Sequence, residues 1–219
     1  MLQKSANIWY IPKDNNSEDT ILLPLALFLK NRVNVISFDK VSIKENKLIV
    51  VAYLLYFLKL FQNFQIDKDQ FKSEKNGKKT SGLKHVFVVI DEAQNFAPEF
   101  ANSPLERTLG NIIMQIAAEG RKYGLHLILA TQRPNKVKKG LLGECDNAII
   151  LKMNSRADLE HIANEMRILD IKLLEPCLHF QGQGNAIAVG EMTKMAPYMQ
   201  MFKSAPRRTV EGGVDIEGF

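Results

Sequence analysis

The chain has 219 residues, 46% of them hydrophobic and 24% charged, a globular balance that excludes a wholly disordered or collagen-like chain. Lys and Arg number 29 against 24 Asp and Glu, giving +5 and a pI near 9.1, an excess compatible with nucleic acid but too small to demand it. Two cysteines, Cys145 and Cys177, without a Cys-x-x-Cys pair, argue against a disulfide scaffold or zinc site and make a reducing cytoplasm the default compartment.

At roughly 150 residues per domain the length allows one domain and a small excess. We expect it over 1–206, with a flexible, Gly-rich and charged tail at 207–219. The apolar run from Leu48 to Leu58 stops at Lys59, short of the roughly 20 residues of a membrane-spanning helix. The segment 21–29 is shorter and contains Pro24, and the first residues lack the apolar stretch of a signal peptide. No membrane association is expected.

In chain order, 33–39 reads as a strand and 47–64 as a helix apolar on most faces, hence one buried on most faces. Residues 67–82, with Lys72, Lys75, Lys78 and Lys79, read as an exposed polar insert loop. Three near-continuous apolar runs follow at 85–91, 125–131 and 147–153, the pattern of strands covered on both faces by helices. Between the first two lies a helix with a clear start: Ser103 as N-cap, Pro104 in the first position and Glu106 closing a capping box. Its stripe is Leu109, Ile112, Ile113, Ile116 and Ala117, and Gly124 is its expected stop. A second capped helix begins at Ser155 with Asp158 behind it, and 185–202 reads as a β-hairpin. The alternation predicts an α/β fold, a mostly parallel sheet flanked by helices.

The run Val-Val-Ile-Asp91-Glu92-Ala-Gln puts two carboxylates at the C-terminal tip of a buried strand, the edge where open parallel sheets bind ligands. There one carboxylate can hold Mg²⁺ on nucleotide phosphates and the next can take a proton from water. A strand ending at a charged turn is the plainer alternative. Glu119-Gly-Arg121-Lys-Tyr-Gly124 closes the capped helix, and Ala130-Thr-Gln132-Arg133-Pro134 follows the next apolar run.

Together with Asp91-Glu92-Ala, these motifs resemble, in order and spacing, the HerA-type branch of the HerA/FtsK family of P-loop DNA-translocating ATPases. The resemblance runs from about Val33 to Pro206 and is most specific over 119–134. It implies a RecA-like P-loop core using ATP and Mg²⁺. Asp91 would be the Mg²⁺-associated Walker B carboxylate, Glu92 the water-activating residue, and Gln132 the sensor at the terminal phosphate. Arg121 would be an arginine finger reaching a neighbouring subunit. A cation at a helix C-terminus is the plainer reading of Arg121, and an amide capping a strand end that of Gln132. Lys136, Lys138 and Lys139 would face a central pore and grip DNA phosphates without reading bases, or else form a solvated run. The implied partners are double-stranded DNA, further copies in a homo-oligomeric ring of hexamer type, and a nuclease or other effector. On this reading the acidic pair lies near both the Gln132 turn and the Arg121 helix end.

One part is missing: no Gly-x-x-x-x-Gly-Lys-Ser/Thr occurs, the loop whose amides cradle phosphates. Gly77-Lys-Lys-Thr80 has Lys72 where the first glycine belongs. The core is therefore expected to be incomplete on its Walker A side, and three explanations are open. A companion chain carrying Walker A completes a truncated or split product, the chain is a degenerate relative, or residues 7–11 fill the vacant strand position between 125–131 and 147–153. A non-catalytic DNA-binding or assembly subunit is the alternative function. A superfamily-two helicase fragment fits Asp-Glu-Ala-Gln but not the 119–134 motifs.

Overall fold

The computed structural model describes residues 6–10, 33–38, 41–76, 85–168, 170–193 and 199–206. It divides into two compact units, Met1–Gln132 and Arg133–Phe219. In the first, β1 (Ala6–Tyr10) pairs parallel with β2 (Val33–Ser37). Helix α1 (Lys44–Asn76) follows, then β3 (Val86–Ile90), α2 (Pro104–Glu119) and β4 (Leu125–Leu129). Strands β3 and β4 are parallel, in register from Val86 opposite Leu125 to Ile90 opposite Leu129. The class is α/β, as expected.

Helix α2 begins as its sequence dictates. Ser103 adopts extended backbone and its hydroxyl accepts from the Glu106 amide at 3.2 Å, with Pro104 in the first turn. Leu109, Ile113 and Ile116 are buried, each contributing about 1.5–3 kcal/mol relative to exposure. The α-helix stops earlier than Gly124. It ends at Glu119 and tightens into a 3-10 turn, Gly120–Tyr123, after which Gly124 takes φ 68°. Gly120 sits so close to the next strand that a methyl group there would stand 2.6 Å from the Leu125 carbonyl oxygen.

Helix α1 corrects two expectations. It runs on to Asn76, so 67–76 is helical rather than part of an insert loop; 77–82 lie outside the described residues. The reason is intrinsic: no Gly or Pro interrupts the segment before Gly77, and extending a formed helix through Lys, Glu and Gln is easy. Nor is the helix buried on most faces. Leu48, Leu54 and Leu55 are buried, whereas Ile49, Tyr53, Tyr56 and Leu60 form an exposed stripe.

The strands likewise are not covered on both sides. Val86, Val88 and Ile90 turn inward, but Phe87 and Val89 are each 64% exposed, and Ile128 of β4 is exposed beside them. Alternate residues of a strand point to opposite faces, so one face of this pair is packed and the other is apolar and open. Strand β1 hydrogen-bonds to β2, and no pairing of β1 with β4 is found among the described residues, so residues 7–10 do not fill the vacant position beside 125–131; residue 11 lies outside the described residues.

The second unit holds β5 (Asn147–Ile150), α3 (Arg156–Glu165), α4 (Pro176–His179), β6 (Asn185–Gly190) and β7 (Met199–Lys203). Its strands pair antiparallel in the order β5-β6-β7. The Ser155 hydroxyl accepts from the Asp158 amide at 3.2 Å, capping α3. Leu159, Ile162, Leu174, Cys177, Phe180 and Ile187 make its core. The tail 207–219 lies outside the described residues. Among the described residues no helix is long and apolar enough to cross a membrane.

Candidate functional site

The site is built where β3 and β4 end. The Ala130 amide donates to the Ile90 carbonyl and the Ala93 amide to the Ala130 carbonyl, both at 2.9 Å. The parallel pairing thus continues past both strands into the turn that carries the acidic residues. Asp91 is exposed and Glu92 half-buried; the Asp91 Oδ1 accepts from the Glu92 amide at 2.9 Å. Glu92 has φ 49° and ψ 52°, a left-handed backbone on a residue other than glycine, which costs about 1 kcal/mol or more. Its successors hold it there: a 3-10 turn, Ala93–Asn95, follows at once, and Ala93 and Ala97 are buried beneath it.

Two side chains that the sequence did not single out complete the arrangement. Gln94 Nε2 donates to Glu92 Oε2 at 2.7 Å, and Thr131 Oγ1 donates to Gln94 Oε1 at 2.6 Å. Gln132, the next residue, is exposed. Asp91, Glu92 and the Thr131–Gln132 turn therefore share one edge of the sheet. The signal for Gln94 and Thr131 was present, since they sit in Asp91-Glu92-Ala-Gln94 and Ala130-Thr131-Gln132, but their contact is set by strand register, which sequence does not display.

Arg121 is not with them. It is exposed in the 3-10 turn that leads into β4, and the Gly124 carbonyl there accepts from the Val86 amide, the first of β3, at 2.8 Å. Five residues of strand at roughly 3.3 Å each separate this edge from the acidic one. The expectation that acidic pair, glutamine turn and guanidinium meet in one chain fails for Arg121, because parallel strands put the entry of β4 at the opposite end from the exit of β3.

Lys136, Lys138 and Lys139 belong to the second unit. Lys136 ends a 3-10 turn, Pro134–Lys136; Lys136 and Lys139 are exposed and Lys138 is half-buried. The Gly140 amide donates to Glu165 Oε2 at 2.7 Å, which ties the end of this lysine run to α3. Of the histidines, His85, just before β3, meets His126 of β4, with Nδ1 and Nε2 2.8 Å apart.

Three perturbed groups lie outside the acidic edge, among them the Cys145 thiol, which burial and the neighbouring Asp146 and Glu144 carboxylates push up. The Lys44 ammonium, hydrogen-bonded to buried Glu106, holds that carboxyl below its usual range, against the opposing effect of burial and with help from the Asn102 amide. Burial pushes the Cys177 thiol up to about 11, so it stays protonated and unreactive.

No family model matches the chain. It is similar to the DNA double-strand break repair helicase HerA of Saccharolobus solfataricus, 32% identical over 168 residues, which are 76% of this chain and 30% of that protein. With the HerA of Pyrococcus furiosus it shares 24% over 185 residues, 78% of this chain and 33% of that one. A probable helicase of Methanocaldococcus jannaschii is 27% identical over 197 residues, 89% and 35% of the two chains. Among solved structures, the genome packaging NTPase B204 of Sulfolobus turreted icosahedral virus 2, in complex with ATP-gammaS, is 17% identical with a TM-score of 0.49, covering 84% of this chain and 72% of that one. The chain spans about a third of the length of the curated relatives it matches. It is, over that stretch, a relative of the HerA-type helicases.

Proposed function

We propose that this chain forms the part of a HerA-type ATP-dependent double-stranded DNA translocase that supplies the Walker B, sensor and arginine-finger residues. The carrying observation is the exit edge of the β3–β4 pair, where Asp91, Glu92 and the Gln132 turn come together; Arg121 stands apart at the entry edge. The relatives' name as helicases supports the same reading.

Glu92 keeps one carboxylate oxygen engaged by Gln94 and uses the other to accept a proton from an attacking water. Gln132 orients that water or the terminal phosphate. Asp91 is an exposed carboxylate at a strand tip, which fits Mg²⁺, an ion content with one or two carboxylates when phosphates and waters fill its remaining positions. Bound there, Mg²⁺ would offset charge on the ATP phosphates. Arg121, a strand's length away, serves the site of a neighbouring copy. Such donation needs a head-to-tail interface that closes, hence a ring, and a finger of this kind is worth roughly 10³–10⁵ in rate. Hexameric closure, a cytoplasmic setting and a nuclease or other effector partner go with this reading.

The phosphate-cradling loop is not in this stretch, so on this reading Walker A is supplied by residues outside it, which a companion polypeptide can provide in an assay. The test is ATP turnover by the purified, folded chain with and without such a companion. We expect none alone and turnover with the companion, abolished by Glu92→Gln while nucleotide binding survives. Robust turnover by the chain alone overturns the reading. A second reading is a non-catalytic DNA-binding or assembly subunit, for which DNA binding persists and no companion restores turnover.

A further inference from the structure

We propose that Gln94 is a positioning residue that couples the Glu92 carboxylate to the Thr131–Gln132 turn, an assignment that rests on reading Glu92 as the water-activating group. Three side chains form one directed series: the Thr131 hydroxyl donates to Gln94 Oε1 at 2.6 Å and Gln94 Nε2 donates to Glu92 Oε2 at 2.7 Å. Chemistry fixes the direction. An ionised carboxylate only accepts, so the amide nitrogen must face Glu92, and the amide oxygen is then left to face a group able to donate. Were the amide turned over, oxygen would oppose oxygen at Glu92. The bond to the carboxylate is charge-assisted and is the stronger of the two.

The backbone supports the same linkage. Glu92 and Gln94 flank buried Ala93, whose amide is bound to the Ala130 carbonyl at 2.9 Å. Gln94 and Thr131 are 37 residues apart in sequence, so the series joins the ends of two strands rather than neighbours in one turn. With Oε2 tied, Glu92 has one oxygen left for a water proton, and the tie sets where that oxygen points. Any displacement of the Thr131–Gln132 turn, such as contact with a phosphate would bring, passes through two hydrogen bonds to the carboxylate.

The experiment is carbon-13 NMR of the Glu92 carboxyl in the full chain. Thr131→Val, which removes the donor at nearly constant shape, should shift that resonance, while Thr131→Ser should leave it in place. In a Gln94→Met background, adding Thr131→Val should no longer move it. The proposal is overturned if Thr131→Val leaves Glu92 unmoved, or moves it as far without Gln94 as with it; unchanged strand amide signals in each variant establish that the fold persists. With a Walker A companion supplied, Gln94→Met should lower kcat about tenfold at unchanged KM, part of what a general base contributes; where Glu92→Gln abolishes turnover, an unchanged kcat in Gln94→Met also overturns the proposal. Should the companion complex turn over equally well with Glu92→Gln, the base assignment fails by itself, and the carboxyl resonance still decides the coupling.

Discussion

Glu106 shows how much a single residue can reveal about pH. Its side chain is 4% exposed and is bonded to Lys44, itself 56% exposed, and to the Asn102 amide at 2.6 Å. The Lys44 hydrogen bond is the largest influence holding the carboxyl below its ordinary value of 4.5. A carboxyl depressed on folding stabilises above its unfolded value, and that contribution is lost as pH falls through the folded one. Lys44→Met should therefore destabilise the protein at pH 7, by about 1–3 kcal/mol for a buried carboxylate deprived of its cation. The difference should shrink toward zero once Glu106 is protonated in both proteins. Urea unfolding at pH 7 and at pH 3 checks this; an equal loss at both would refute the linkage. At the acidic edge the opposite logic applies, since Glu92 holds an unfavourable backbone. Glu92→Gly should raise the melting temperature, because glycine takes φ 49° without strain.

At the scale of elements, α2 was legible and α1 was not. The start of α2 is written in Ser103, Pro104 and Glu106, because capping is local chemistry. The far end of α1 is polar, and polarity tells exposed from buried rather than helix from loop. The two-sided coverage expected for β3 failed for a related reason: an apolar face states what a strand would bury, not whether anything lies against it. The carboxylates and Gln132 were readable because motifs are contiguous, whereas the Gln94–Thr131 contact and the remoteness of Arg121 depend on which strands pair and in which direction. The junction between α2 and β4 gives a prediction with an informative sign. In an open helix, Gly→Ala gains about 1 kcal/mol. At Gly120 the added methyl meets the Leu125 carbonyl oxygen at 2.6 Å, a backbone atom with no room to yield, so Gly120→Ala should lose about 1–3 kcal/mol. Thermal melting decides between gain and loss.

For the whole molecule, the modest excess of +5 is too small to grip DNA by itself, so any DNA contact must come from local concentrations of cations. Replacing Lys136, Lys138 and Lys139 by alanine should weaken binding to duplex DNA and flatten its dependence on salt, by about 0.9 in the log–log slope for each lysine that touches a phosphate. Fluorescence anisotropy across a salt series measures it, and an unchanged slope assigns the three lysines to solvent. The open side of the β3–β4 pair matters before any of these assays begins. Phe87, Val89 and Ile128 turned toward water make a greasy wall of the kind that captures hydrophobic dyes, clings to column resins and invites chaperones during synthesis. Yield and monodispersity in a preparation of this chain will hence be governed by that wall, and a co-expressed polypeptide able to shelter it would announce itself first as a gain in recovered, unaggregated protein.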